Sequence, residues 1–86
     1  MRVNLSSHFR GYTGGKATVE AKGSTLHEVF ADLERQFPGL RFRLIDEQDR
    51  VRRHVKVYVN LDAVESMSAP VSASDEIHLI GALSGG

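Results

Sequence analysis

Thr25-Leu26-His27-Glu28-Val29-Phe30-Ala31-Asp32-Leu33-Glu34-Arg35-Gln36-Phe37 carries the strongest periodic signal in the chain. Thr25 with Glu28 three residues on matches a capping box, in which the hydroxyl takes a backbone N–H and the glutamate reaches back to the start of the helix. Leu26, Val29, Phe30, Leu33 and Phe37 then fall at i, i+3, i+4, i+7 and i+11, one apolar face of a helix. Pro38-Gly39 stops it. A face of that kind has to be buried against another layer, and the sequence on either side supplies strands.

Upstream, Val3, Leu5, Ser7 and Phe9 alternate with Asn4, Ser6 and His8, the period-two signature of a strand with one buried face. Gly11 and Gly14-Gly15 mark a turn, and residues 17–22 continue as a second short strand, so residues 2–22 read as a β-hairpin with a loose glycine-rich loop. Downstream, Leu40, Phe42, Leu44 and Ile45 fit a short helical turn or a strand, of which the turn is preferred, followed by a charged loop over residues 46–53. Val55, Val57 and Val59 alternate with His54, Lys56 and Tyr58 as a strand that turns away at Asn60-Leu61-Asp62. Residues 63–73 are small and polar around Pro70, and Ser74-Asp75-Glu76 feeds a last strand over residues 77–82.

Strands and helix segregated in this order, with no internal repeat, indicate an α+β domain. One main helix packed on one face of a mixed sheet of four or five strands is the β-grasp arrangement. The expected division is a β-grasp domain over residues 1–82 and a flexible tail over residues 83–86. Eighty-six residues bury only about two thirds of their unfolded surface, which disfavours a deep catalytic cleft and hence an enzyme acting alone. Eleven Lys plus Arg balance eleven Asp plus Glu, leaving no net field to draw nucleic acid or a membrane. The absence of cysteine excludes a disulfide scaffold and cysteine-based metal sites. No apolar run approaches the ~18 residues of a membrane span, and Met1-Arg2-Val3-Asn4 lacks the apolar core of a signal peptide. The expectation is a soluble, cytoplasmic protein.

The last strand runs through Ile77-His78-Leu79-Ile80-Gly81-Ala82-Leu83 and is followed by Ser84 and then Gly85-Gly86. A terminal diglycine offers a bare α-carboxylate on a backbone without Cβ, which can be threaded into a narrow site that bulkier residues would block. Residues 83–86, extended, reach about 13 Å at about 3.3 Å per residue. By the period of two, Val55, Val57, Val59, Ile77 and Leu79 face the helix while Tyr58, His78 and Ile80 face the other side of the sheet. An isoleucine on that open side, beside the root of the tail, marks a candidate partner surface.

Taken together, Val57-Tyr58-Val59-Asn60, Ser74-Asp75-Glu76-Ile77, the apolar last strand and Gly85-Gly86 resemble the ubiquitin-like sulfur carriers. That family includes the molybdopterin synthase small subunit, the thiamine sulfur carrier and the carriers serving cysteine synthesis. The resemblance covers nearly the whole chain. It implies that Gly86, with Gly85 beside it, is the reactive centre: a partner enzyme adenylates the carboxylate with ATP, and sulfur from a donor replaces AMP to give a thiocarboxylate. The partners implied are an adenylating enzyme, a sulfur donor and a downstream sulfur-accepting synthase, docked through Tyr58, His78, Ile80 and Leu83. No cofactor is bound by the carrier, and it acts as a co-substrate rather than an enzyme. The same resemblance leaves open a permanent small subunit of molybdopterin synthase and a protein modifier joined to lysines through Gly86. Three positions depart from the family pattern: Asp62, where many members have Gly or Glu; Gly81, where many have Pro; and the segment Met67-Ser68-Ala69-Pro70, which matches no family feature.

Other candidates read as structural. His8, His27, His54 and His78 lack metal-ligand spacing, and residues 11–15 lack the Lys-Ser or Lys-Thr of a phosphate loop. Arg50, Arg52 and Arg53, near Arg41 and Arg43, form the only basic concentration. It is either a solvated loop or a contact for an acidic partner patch, with nucleic acid behind both because interleaved aromatics are few.

Overall fold

The computed structural model describes residues 1–81. Strand β1 (Arg2–Leu5) is followed by a 3-10 helix (Ser7–Tyr12), β2 (Thr18–Glu20), helix α1 (Leu26–Gln36), the short helix α2 (Leu40–Leu44), β3 (Val55–Val59), β4 (Asp62–Ala63) and β5 (Glu76–Gly81). The five strands form one sheet in the order β2-β1-β5-β3-β4. β1 and β5 run parallel at its centre, and the other pairs are antiparallel. The mixed sheet with one main helix is the β-grasp fold.

Helix α1 begins as its capping residues require. Thr25 has an extended backbone and its Oγ1 accepts the Glu28 N–H at 3.3 Å, while the Glu28 carboxylate accepts both the N–H and the hydroxyl of Ser24 at 2.8 Å. The glutamate therefore reaches one residue further back than in the standard box. Leu26, Val29, Phe30 and Leu33 are fully buried against Val3, Val57, Ile77 and Leu79 of the sheet face. Phe37 is only partly buried, because the helix ends at Gln36 and Phe37 caps it.

Met67-Ser68-Ala69-Pro70 acquires a structural meaning. The carbonyls of Ala69 and Met67 accept the N–H groups of Leu26 and His27 at 3.1 and 2.9 Å, so the segment satisfies donors that the first turn of α1 would otherwise leave unpaired. The Met67 side chain is buried beneath it.

The N-terminal expectation needs one correction. β1 pairs with β2 as a hairpin should, but the chain leaves the sheet at Leu5 and coils into the 3-10 helix. Ser6 is where it departs: its N–H still donates to Leu79 O, while its carbonyl already accepts the Phe9 N–H. Ser7 on the supposed buried face is exposed, and only Phe9 turns inward. A single buried aromatic satisfies a turn of helix as well as a strand, so the alternation could not separate them.

The pieces of the family resemblance at the far end of the sheet act together. Asn60, at φ 56°, donates from Nδ2 to Asp75 Oδ1 at 3.0 Å and accepts the Glu76 N–H at 3.0 Å, while its own N–H reaches Glu76 O at 2.7 Å. These bonds fix the register in which Tyr58 lies opposite His78 and Lys56 opposite Ile80. The motif thus sets the alignment of β5 from the end opposite the tail.

Several carboxylates cap backbone in this way and are held below the usual carboxylate range. Glu28 is lowered chiefly by the Ser24 N–H, Asp46 by the Arg50 N–H and Asp75 by the Asn60 amide. A lowered folded-state value means that the unfolded chain binds more protons. The stabilisation is complete above the unfolded value of about 4 and is lost as pH falls below it. Thermal melts from pH 7 to 2 are therefore expected to hold steady down to about pH 4 and to fall steeply beneath.

Candidate functional site

β5 carries the root of the tail, and its side chains divide as the period of two requires. Ile77 and Leu79 have no exposed surface, whereas Glu76 and His78 are half-buried and Ile80 is 42% exposed on the open side of the sheet. Tyr58 and His78 are register partners on that side. Beside them Asn4 Nδ2 donates to Glu76 Oε2 at 2.7 Å and lies 3.3 Å from His78 Nδ1, and Thr18 Oγ1 donates to Asn4 Oδ1 at 2.9 Å. The open face is thus a hydrogen-bonded polar surface until Ile80, where an apolar side chain faces water next to the exposed Lys56. Tyr58, His78 and Ile80 share the face expected of them. Leu83, Gly85 and Gly86 lie outside the described residues.

Gly81, the last described residue, is fitted tightly. Its N–H donates to Ser6 Oγ at 2.9 Å, and a Cβ there would stand 2.9 Å from the His8 Cβ and 3.2 Å from the Phe9 ring. The 3-10 helix has moved in against the strand. A proline would remove the donor as well as meet that wall, so glycine at this position follows from the local packing.

The arginines divide into two kinds. Arg41 pairs with Asp49 at 3.2 Å and Arg50 with Asp46 at 3.8 Å, which ties the loop to itself. Arg52 instead stacks on Phe42, and Arg43 lies at the hydroxyl end of Tyr12. Sequence reasoning joined all of these into one cluster because it could not see which had carboxylate neighbours. Among the described residues, no three His, Asp or Glu side chains gather closely enough to hold a metal ion. No helix among the described residues is long and apolar enough to cross a membrane.

A five-stranded mixed sheet of this order with one main helix packed on it defines a ubiquitin-like domain. The family model described as ThiS family matches residues 3–86. The chain belongs to that family of ubiquitin-like sulfur carriers. Among its relatives, the sulfur carrier protein CysO of Mycobacterium tuberculosis is 32% identical over 89 residues, covering 98% of this chain and 96% of CysO. A chain of the Amycolatopsis orientalis BexX/CysO complex superposes with a TM-score of 0.90 at 34% identity, covering 99% of this chain and 98% of that one. SAMP1 from Haloferax volcanii, at 23% identity and a TM-score of 0.77 over 99% of this chain and 97% of that one, shares the fold.

Proposed function

We propose that this protein is a sulfur carrier whose Gly86 α-carboxylate is adenylated by a partner enzyme and converted to a thiocarboxylate. The observation that carries the reading is the family match, which runs through β5 into the diglycine at residue 86. The carboxylate oxygen attacks the α-phosphorus of ATP and pyrophosphate leaves. Sulfide (HS−) released by the donor then adds to the acyl carbon, AMP departs with its phosphate oxygen, a proton is lost, and the carboxylate has exchanged one oxygen for sulfur. The resulting thiocarboxylate is ionised at neutral pH and attacks an acceptor without a neighbouring base, as a thiolate does. The carrier contributes the reactive group and the partner contributes catalysis, so the protein is a co-substrate and binds no cofactor itself. ATP and reduced sulfur meet in the cytoplasm, where we place its work. The likeness to CysO supports cysteine synthesis as the receiving route, through a downstream sulfur-accepting synthase.

The direct test is the mass of the intact protein after incubation with ATP, magnesium, a sulfur source and the cognate adenylating enzyme. One oxygen exchanged for one sulfur is the expected result, and an unchanged mass with an active partner would remove the reading.

Docking is proposed to use Ile80, with Tyr58 and His78 beside it and Leu83 following. Ile80→Asp sets an unpaired charge into an apolar contact. It is expected to raise the carrier concentration needed for half-maximal ATP–pyrophosphate exchange about tenfold, equivalent to ~1.4 kcal/mol of binding. Because Ile80 is already exposed, the melting temperature should stay within a few degrees of wild type. An unchanged half-saturation would move the docking face elsewhere.

A further inference from the structure

A groove of about 410 Å³ opens beside Gly81, between the 3-10 helix, α2 and the start of β3. Its floor is apolar, formed by Phe9, Val55 and the 62% exposed ring of Phe42. Its rim carries His8, Arg43, Arg52 and His54, and no Asp or Glu lines it. The two guanidiniums are held in place. Arg43 Nε donates to the Tyr12 hydroxyl and its Cζ lies 5.8 Å from the Tyr12 ring centroid. Arg52 Nε donates to Phe42 O at 2.6 Å and its Cζ lies 4.6 Å from the Phe42 ring centroid. Each is therefore anchored through Nε, Arg52 over the face of Phe42 and Arg43 at the hydroxyl end of Tyr12. The terminal nitrogens of both have no hydrogen-bond or ion-pair partner among the described residues, whereas Arg41 and Arg50 do.

We infer that this groove seats an acidic segment of the protein that takes up the tail, with Arg43 and Arg52 gripping its carboxylates. The inference rests on the proposed carrier function, since a tail entering a partner's site brings that partner's surface against Gly81. Guanidinium ends prealigned by their Nε hydrogen bonds match a carboxylate pairwise and lose little side-chain freedom on binding it. The apolar floor suits the aliphatic part of a peptide, which an isolated phosphate would not use. A groove with no Asp or Glu among its described lining residues also draws an acidic surface toward the root of the tail during encounter, which raises the association rate.

Two measurements test it. Isotope-labelled protein titrated with a hexaglutamate peptide should show amide shifts concentrated near His8, Arg43, Arg52 and His54, absent with hexalysine and lost in the Arg43→Gln/Arg52→Gln double variant. Shifts spread over other basic residues, or equal shifts with inorganic phosphate, would overturn the inference. In pyrophosphate exchange with the cognate adenylating enzyme, the double variant should need about tenfold more carrier for half-saturation and lose most of the salt dependence seen in wild type. Unchanged half-saturation in a variant whose melt is intact would overturn it too. If wild type supports no exchange, the carrier reading falls, and the peptide titration still decides the groove. Should the double variant fail to fold, the salt dependence of wild type decides: half-saturation indifferent to added sodium chloride rules out the charged seat.

Discussion

Removing Gly85 and Gly86 is expected to abolish activation completely while changing stability by less than about 0.5 kcal/mol. All the core residues and strand pairings among the described residues lie upstream of the deleted pair. The two glycines also contribute no side chain. Activation depends on them for a different reason, because without Gly86 the proposed acyl carbon is gone. Gly86→Val separates the two needs of the tail: the carboxylate remains, but a β-branched side chain resists a channel shaped for bare backbone. Exchange should be lost in both variants, alongside superimposable melts. Full exchange by the truncated chain would refute Gly86 as the reactive centre.

Phe30→Ala is expected to cost about 3–5 kcal/mol, the range for emptying a buried aromatic site. Phe30 is the largest of the fully buried side chains, on the helix face that closes the sheet. A small domain holds only about 5–15 kcal/mol in total, so the variant should be partly unfolded at moderate temperature. Urea denaturation reads the effect as a lower midpoint at similar slope. A midpoint equal to wild type would mean that the ring is not packed in the core.

The helix, β3 and β5 were legible because their periods are clean. Leu26, Val29, Phe30 and Leu33 recur at helical spacing, and Val55, Val57, Val59 and Ile77, Leu79 recur at two. The alternation also sorted Tyr58, His78 and Ile80 onto the open face. What stayed hidden depends on contacts between distant segments. Residues 7–12 coil because Phe9 has to reach the core beside β5, and β4 is two residues of pairing set by the turn at Asn60. Nothing local distinguishes Arg43 and Arg52 from Arg41 and Arg50. Their difference lies in Tyr12, thirty-one positions away in sequence from Arg43, and in the fold that brings the two together. The buttress of Met67 and Ala69 under α1 is hidden for the same reason, since carbonyls carry no sequence signature.

The parallel pairing of β1 with β5 bears on how the protein comes into being. Asn4 and His78 are seventy-four positions apart yet side by side at the middle of the sheet, so the central contact is also among the most remote along the chain. Contacts of that separation slow folding, because a long loop must be closed before they form. A chain interrupted between β4 and residue 76 would leave β1 and β3 each with an open edge and the apolar face of α1 without its middle strand. Such a fragment is a substrate for aggregation or proteolysis rather than a half-working carrier. The strand that completes the fold is the one that leads toward the diglycine, so a folded molecule is one whose synthesis has passed through β5, and unfinished chains would not compete for the proposed activating enzyme.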